Sequence, residues 1–153
     1  MVEIGANLKG DLAGDLARFE ARINQEVLLS GVAAMAKPIY EQAIANAPTL
    51  GRESYFYGEN KRYLLPVDAL KKAIYRVYSP ENSTGSRKVY RISWNHRKAP
   101  HGFMVEYGTS HSRARPFLRP AFHSRIQAAI DAGNDRMKAR LSESGSAVTV
   151  SGE

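Results

Sequence analysis

Ala73-Ile74-Tyr75-Arg76-Val77-Tyr78-Ser79-Pro80 and, after a turn, Val89-Tyr90-Arg91-Ile92-Ser93-Trp94-Asn95 form the stretch that decides the fold. The first run is dense in β-branched and aromatic residues and stops at a proline, as strands do. In the second, Tyr90, Ile92 and Trp94 alternate with Arg91, Ser93 and Asn95, the period-two pattern of a half-buried strand. Between them Asn82-Ser83-Thr84-Gly85 supplies turn residues. Together they predict an antiparallel hairpin. The sequence on either side follows a different period.

On the N-terminal side, Leu8, Leu12, Leu16, Phe19, Ile23 and Val27 recur every three or four residues, one face of a helix. Ser30-Gly31 weakens the stripe, which resumes at Val32, Met35, Ile39, Ala43 and Ala47. Pro38 lacks an N–H and crowds the preceding turn, so a long helix from Leu8 to Asn46 is expected to bend or break there, and Pro48 to end it. Asp68 is placed to cap a short turn through Leu70. On the C-terminal side, Phe122, Ile126, Ala129, Ile130, Gly133, Met137 and Leu141 make a second helical stripe, with Pro120 at its first position. Helices, strands, helix in that order predict an α+β fold. It has a long bent N-terminal helix, a small antiparallel sheet and a C-terminal amphipathic helix packed on one face.

The chain has 153 residues, enough to bury roughly 68–70% of its unfolded surface in a single core. Residues 1–141 read as one domain, residues 142–153 as a flexible polar tail. Residues 49–68 read as a loop with turn signals at Thr49-Leu50-Gly51 and Gly58-Glu59-Asn60. Its Tyr55, Phe56, Tyr57 and Tyr63 are candidate partner-contact residues, suited to packing on a neighbouring surface or to stacking on a nucleobase. Segment 101–109 fits either a short helix between Pro100 and Gly108 or a strand.

Cysteine is absent, which excludes disulfides, Cys-ligated metal and thiol nucleophiles. No apolar run reaches the ~20 residues of a membrane span, and the first residues lack the basic start and apolar stretch of a signal peptide. A soluble chain that begins in a cytoplasm, with no membrane partner, is expected. The net charge of +7 is unevenly placed: −3 over residues 1–60, +10 over 61–119 and 0 over 120–153. Such a basic middle third is either a surface for a polyanionic partner or a solvated face.

Motifs for chemistry are missing. His96, His101, His111 and His123 form no His-x-x-x-His pair, and no phosphate loop, dinucleotide fingerprint or Gly-x-Ser-x-Gly elbow occurs. Region 61–119 holds only Asp68, Glu81 and Glu106 as carboxylates, poor material for a metal-dependent nuclease. The expectation is a protein that is not an enzyme and has no cofactor and no metal.

His101-Gly102-Phe103-Met104-Val105-Glu106-Tyr107-Gly108-Thr109, a polar spacer, then Arg115-Pro116-Phe117-Leu118-Arg119-Pro120-Ala121-Phe122 is the most distinctive text in the chain. It resembles the tail-completion or head–tail joining family of long-tailed bacteriophages and prophages. Ala36-Lys37, Ala45-Asn46-Ala47-Pro48 and Leu70-Lys71-Lys72-Ala73-Ile74 are similar to that family's upstream segments. About 18 residues separate Gly51 from Leu70 where the family passes on directly, so 49–68 reads as an insertion. The resemblance implies a structural virion protein of the neck, made in the host cytoplasm and working in a closed homo-oligomeric ring, expected to be six-fold. Its implied partners are the adjacent neck, connector and tail-tube proteins and the DNA passing through the channel. The matching residues are Glu106, Tyr107, Gly108, Thr109, Pro116, Phe117, Leu118 and Pro120. Physically, Gly108 suits a positive φ, Phe117 and Leu118 suit a core plug, and the two prolines fix the path between them. Glu106 is placed to brace the following loop through its N–H groups, or else to pair across a subunit boundary, the brace being favoured. The runner-up reading is a small basic nucleic-acid-binding module.

Overall fold

The computed structural model describes residues 12–57 and 62–146. In chain order these form α1 (Leu12–Asn46), β1 (Ser54–Tyr57), β2 (Arg62–Leu65), α2 (Ala69–Ala73), β3 (Ile74–Tyr78), a single 3₁₀ turn at Pro80–Asn82, β4 (Tyr90–Trp94), α3 (Gly102–Tyr107) and α4 (Leu118–Ser146). The fold is α+β: two long helices packed together and two small antiparallel hairpins. Among the described residues no helix is long and apolar enough to cross a membrane.

The hairpin of the deciding stretch is β3–β4, in register Ile74↔Trp94, Arg76↔Ile92 and Tyr78↔Tyr90. Its turn is tied by backbone and side-chain bonds together. Ser79 is buried; its N–H donates to Val89 O at 2.9 Å, and its carbonyl accepts from Ser83 Oγ at 2.7 Å. Ser83 Oγ in turn accepts from Val89 N–H at 3.0 Å.

Helix α1 is one unbroken element of 35 residues with Pro38 inside it. Of the bend or break expected at Pro38, the break does not occur, because flanking turns are pinned by tertiary packing. Ala36 and Ala43 on either side of the proline are buried. Tertiary contact of this kind is what holds most helices, and it outweighs one missing backbone bond. Leu8, the expected start, lies outside the described residues, whereas Asn46 ends the helix two residues before Pro48 as anticipated.

Helix α4 runs alongside α1 as the largest contact in the molecule. The helices meet where each has a glycine. A methyl added to Gly31 would stand 2.5 Å from Met137 Cγ, and one added to Gly133 would collide with Met35 Cγ. Gly31, which interrupts the apolar stripe in the sequence, is thus where a methionine from the other helix is received. Arg136 Nε also donates to Ser30 Oγ at 2.9 Å across this crossing.

Two expectations are corrected here. Residues 49–68 are not a bare loop: β1 and β2 pair antiparallel, Tyr55↔Leu64, Phe56↔Tyr63, Tyr57↔Arg62. Strands of only four residues with aromatics at three successive positions carry no alternation to read. The tail predicted from residue 142 is helical through Ser146. Extending an existing helix fixes one residue per bond gained, so polar residues suffice. Arg140 pairs with Glu143 at 3.3 Å and Ser142 Oγ donates to Ala139 O at 2.8 Å. Residues 147–153 of that tail lie outside the described residues.

The main core gathers Ala43 and Ala47 of α1, Leu70 and Ala73 of α2, Ile74, Trp94, Ala99, Phe117 and Ala121. It sits where the C-terminal end of α1 meets the β3–β4 hairpin and the start of α4, directly beneath the motif Glu106–Pro120.

Candidate functional site

Within segment 101–109, Gly102–Tyr107 form helix α3, closed by Gly108 with φ 80 and ψ 179. Its N–H donates to Met104 O at 2.8 Å. That backbone conformation is essentially restricted to glycine. A Cβ there would also meet Ala114 N at 2.8 Å and Ser112 O at 3.0 Å. Thr109 then turns the chain: its Oγ1 accepts from Ser112 N–H at 3.0 Å, and its own N–H donates to Ser112 O at 2.8 Å. Arg115 N–H donates to Val105 O at 2.8 Å, bringing the chain back against α3 just ahead of Pro116.

The returning segment meets Glu106. This carboxylate is 2% exposed. Its Oε2 accepts the N–H groups of Phe117 at 2.7 Å and Leu118 at 3.1 Å, and Oε1 accepts that of Arg119 at 3.3 Å. These are donors at the start of α4 that have no partner within the helix. Pro120 comes next with no N–H to satisfy, the third residue of the helix and within its first turn rather than at its first position. Arg119 closes the arrangement, Nε to Glu106 Oε1 at 3.3 Å and Nη2 to Glu106 O at 3.4 Å. An anion here also faces the positive end of α4. Burial pushes the Glu106 carboxyl up, but the three backbone N–H bonds and the guanidinium outweigh it and hold it below the ordinary carboxylate range. Glu106 is therefore an ionised internal brace between α3 and α4.

The remaining motif residues divide by exposure. Phe117 is fully buried, edge-on to Trp94 with ring centroids 5.6 Å apart, and Leu118 is half-buried against the same core. Tyr107 is exposed, between the Arg119 guanidinium at 4.9 Å and the Phe103 ring at 4.6 Å. With Phe103 and Met104, also exposed, it gives α3 an outward apolar face.

Sequence periodicity does not reveal which apolar side chains the fold leaves uncovered. In α4, Ala121 and Ala129 point into the molecule, whereas Phe122, Ile126 and Ile130 are 47%, 43% and 37% exposed. They border a groove of about 580 Å³ whose other walls are Met35 and Ile39 of α1 and Ile92 of β4. The stripe is readable from its spacing and its exposure is not, because spacing says which residues share a face and not what covers it.

The histidines do not converge. His96 packs on Trp94 at 4.8 Å, His123 on Phe122 at 5.7 Å, and His101 is half-buried with its Nδ1 unpartnered among the described residues. Desolvation holds the His101 imidazole below its usual range. Among the described residues no three histidine or carboxylate side chains stand close enough to hold a metal ion.

On the β1–β2 hairpin, Tyr55 and Tyr57 project to the same face and are exposed. The Arg62 guanidinium lies 3.5 Å above the Tyr55 ring centroid. Phe56 points the other way and is half-buried; Tyr63 is its partner in register. The chain matches no known family model, and it is similar to no curated protein and to no solved structure.

Proposed function

We propose that this chain is a structural protein of the neck of a long-tailed phage, acting as one subunit of a closed ring that joins or completes the head–tail connection. The family resemblance of Glu106–Thr109 and Pro116–Ala121 motivates the reading. The observation that carries it is the apolar groove bordered by Phe122, Ile126 and Ile130. Contiguous apolar surface of this kind is uncommon on a protein that works alone and marks surfaces built to meet another. The occupant is a neighbouring copy. The chain carries a second, different apolar face on α3, at Phe103, Met104 and Tyr107. Two unlike patches on one rigid body make head-to-tail contacts, and such contacts close into rings when the rotation allows. The Glu106 brace serves this use by fixing α3, with its exposed face, relative to α4, with the groove.

Mass photometry of the purified chain with its neighbouring neck proteins should show a discrete ring-sized species. Ile126→Asp should abolish that species while leaving the melting temperature within about 3 °C, since the side chain is already partly in water. A chain that remains monomeric with those partners, or particles that keep firmly attached tails without it, overturns the reading.

A further inference from the structure

We propose that the outward face of the β1–β2 hairpin and the depression beside it form a binding surface for single-stranded nucleic acid. The register places Tyr57 opposite Arg62 and Tyr55 opposite Leu64, so these four side chains share one face. Tyr57 is 71% and Tyr55 50% exposed. Leu64 and Arg62 continue into a depression of about 540 Å³ that Pro66, Lys72, Arg97 and Lys98 also line. Three separate parts of the chain thus bring four cations together: β2, α2 and the loop after β4. Among the described residues no carboxylate lines the depression. Among the described residues none of the four cations is within ion-pair distance of a carboxylate.

The charge selects a polyanion, and the rings select which one. Arg62 held over the Tyr55 ring keeps its guanidinium in place, with no carboxylate partner for its N–H groups among the described residues, and a guanidinium so placed is suited to phosphate. Tyr57, its ring centroid 5.7 Å from the same Arg62 guanidinium, leaves most of its aromatic surface exposed at the edge of this cation group. A backbone track of cations with aromatic faces beside it is how proteins hold a strand whose bases are unpaired. A duplex hides those base faces, and an acidic protein surface has none.

This surface is distinct from the apolar groove, and its test does not depend on ring assembly. Fluorescence anisotropy of a labelled oligothymidine with the full chain should give saturable binding. Its dissociation constant should rise with salt with a log–log slope of about 3, as expected for four phosphate contacts on a single strand. Lys72→Glu with Arg97→Glu should weaken binding at least ten-fold and flatten that slope. Tyr57→Ala should weaken the oligothymidine about ten-fold and leave a duplex of equal length unaffected. Lys138→Glu, at the far end of the α1–α4 pair, should change neither. Melting curves of each variant verify folding. Four results overturn the proposal: no saturable binding, equal losses from Lys138→Glu, a duplex bound more tightly and indifferent to Tyr57, or polyglutamate competing as well as the oligonucleotide.

Discussion

Replacing Glu106 tests whether one carboxylate sets the start of α4. In Glu106→Ala three N–H donors lose their acceptor together: those of Phe117, Leu118 and Arg119. A bond to a charged group contributes about 1.5–3 kcal/mol where water is excluded. The Phe117 bond, buried and 2.7 Å long, is assigned about 2 kcal/mol on that scale. The other two are part-buried; water replaces the carboxylate there, and about 1 kcal/mol each is a fair figure for neutral loss. The sum is about 4 kcal/mol, a large share of the 5–15 kcal/mol that holds a domain of this size. At about 2–4 °C per kcal/mol, the melting midpoint should fall by about 8–16 °C. Glu106→Gln keeps one acceptor oxygen and loses the charge, so its drop should be about a third to a half as large. Scanning calorimetry and chemical denaturation at pH 7 read both. The same carboxylate makes an acid prediction. Its folded pKa is lowered, so its contribution is full above the unfolded value of about 4.3 and disappears as pH falls through the folded value. The alanine variant should therefore lose less stability than wild type between pH 5 and pH 2. A midpoint within 2 °C of wild type for Glu106→Ala would refute the brace.

Gly108→Ala should cost about 2–4 kcal/mol, from strained backbone and contact with Ala114 and Ser112; an unchanged denaturation midpoint would mean the turn simply relaxes. His101 has a folded pKa below the unfolded value of about 6.5, so the unfolded chain takes up the proton first. Stability should decline as pH drops from about 7.5 through that value, and His101→Phe should flatten the decline; parallel pH profiles for variant and wild type would exclude His101 as its source.

Legibility from the sequence tracks the length and regularity of each pattern. The β3–β4 hairpin is readable because Tyr90, Ile92 and Trp94 alternate cleanly, and α1 and α4 because their stripes run for many turns. The β1–β2 hairpin is hidden because Tyr55, Phe56 and Tyr57 fill both faces of a short strand. Pro38 argues for a bend or a break, and packing around Ala36 and Ala43 prevents the break. Gly31 reads as a flaw in a helical stripe and is instead where α1 admits Met137. At the site, Glu106 can be assigned a bracing role from its place before a Pro-Phe-Leu turn, but its three N–H partners depend on how far the chain doubles back. The basic depression is invisible for a similar reason: Arg62, Lys72 and the Arg97-Lys98 pair are far apart in sequence.

The doubling back of residues 108–116 has a practical consequence. Both roots of that excursion are anchored on α3, through Gly108 to Met104 and through Arg115 to Val105, while Glu106 fastens Phe117 immediately beyond it. Its tip at His111-Ser112-Arg113 is exposed. Epitope tags or reporter dyes grafted at that apex would hang from a clamped base, leaving the registration of α4 unchanged.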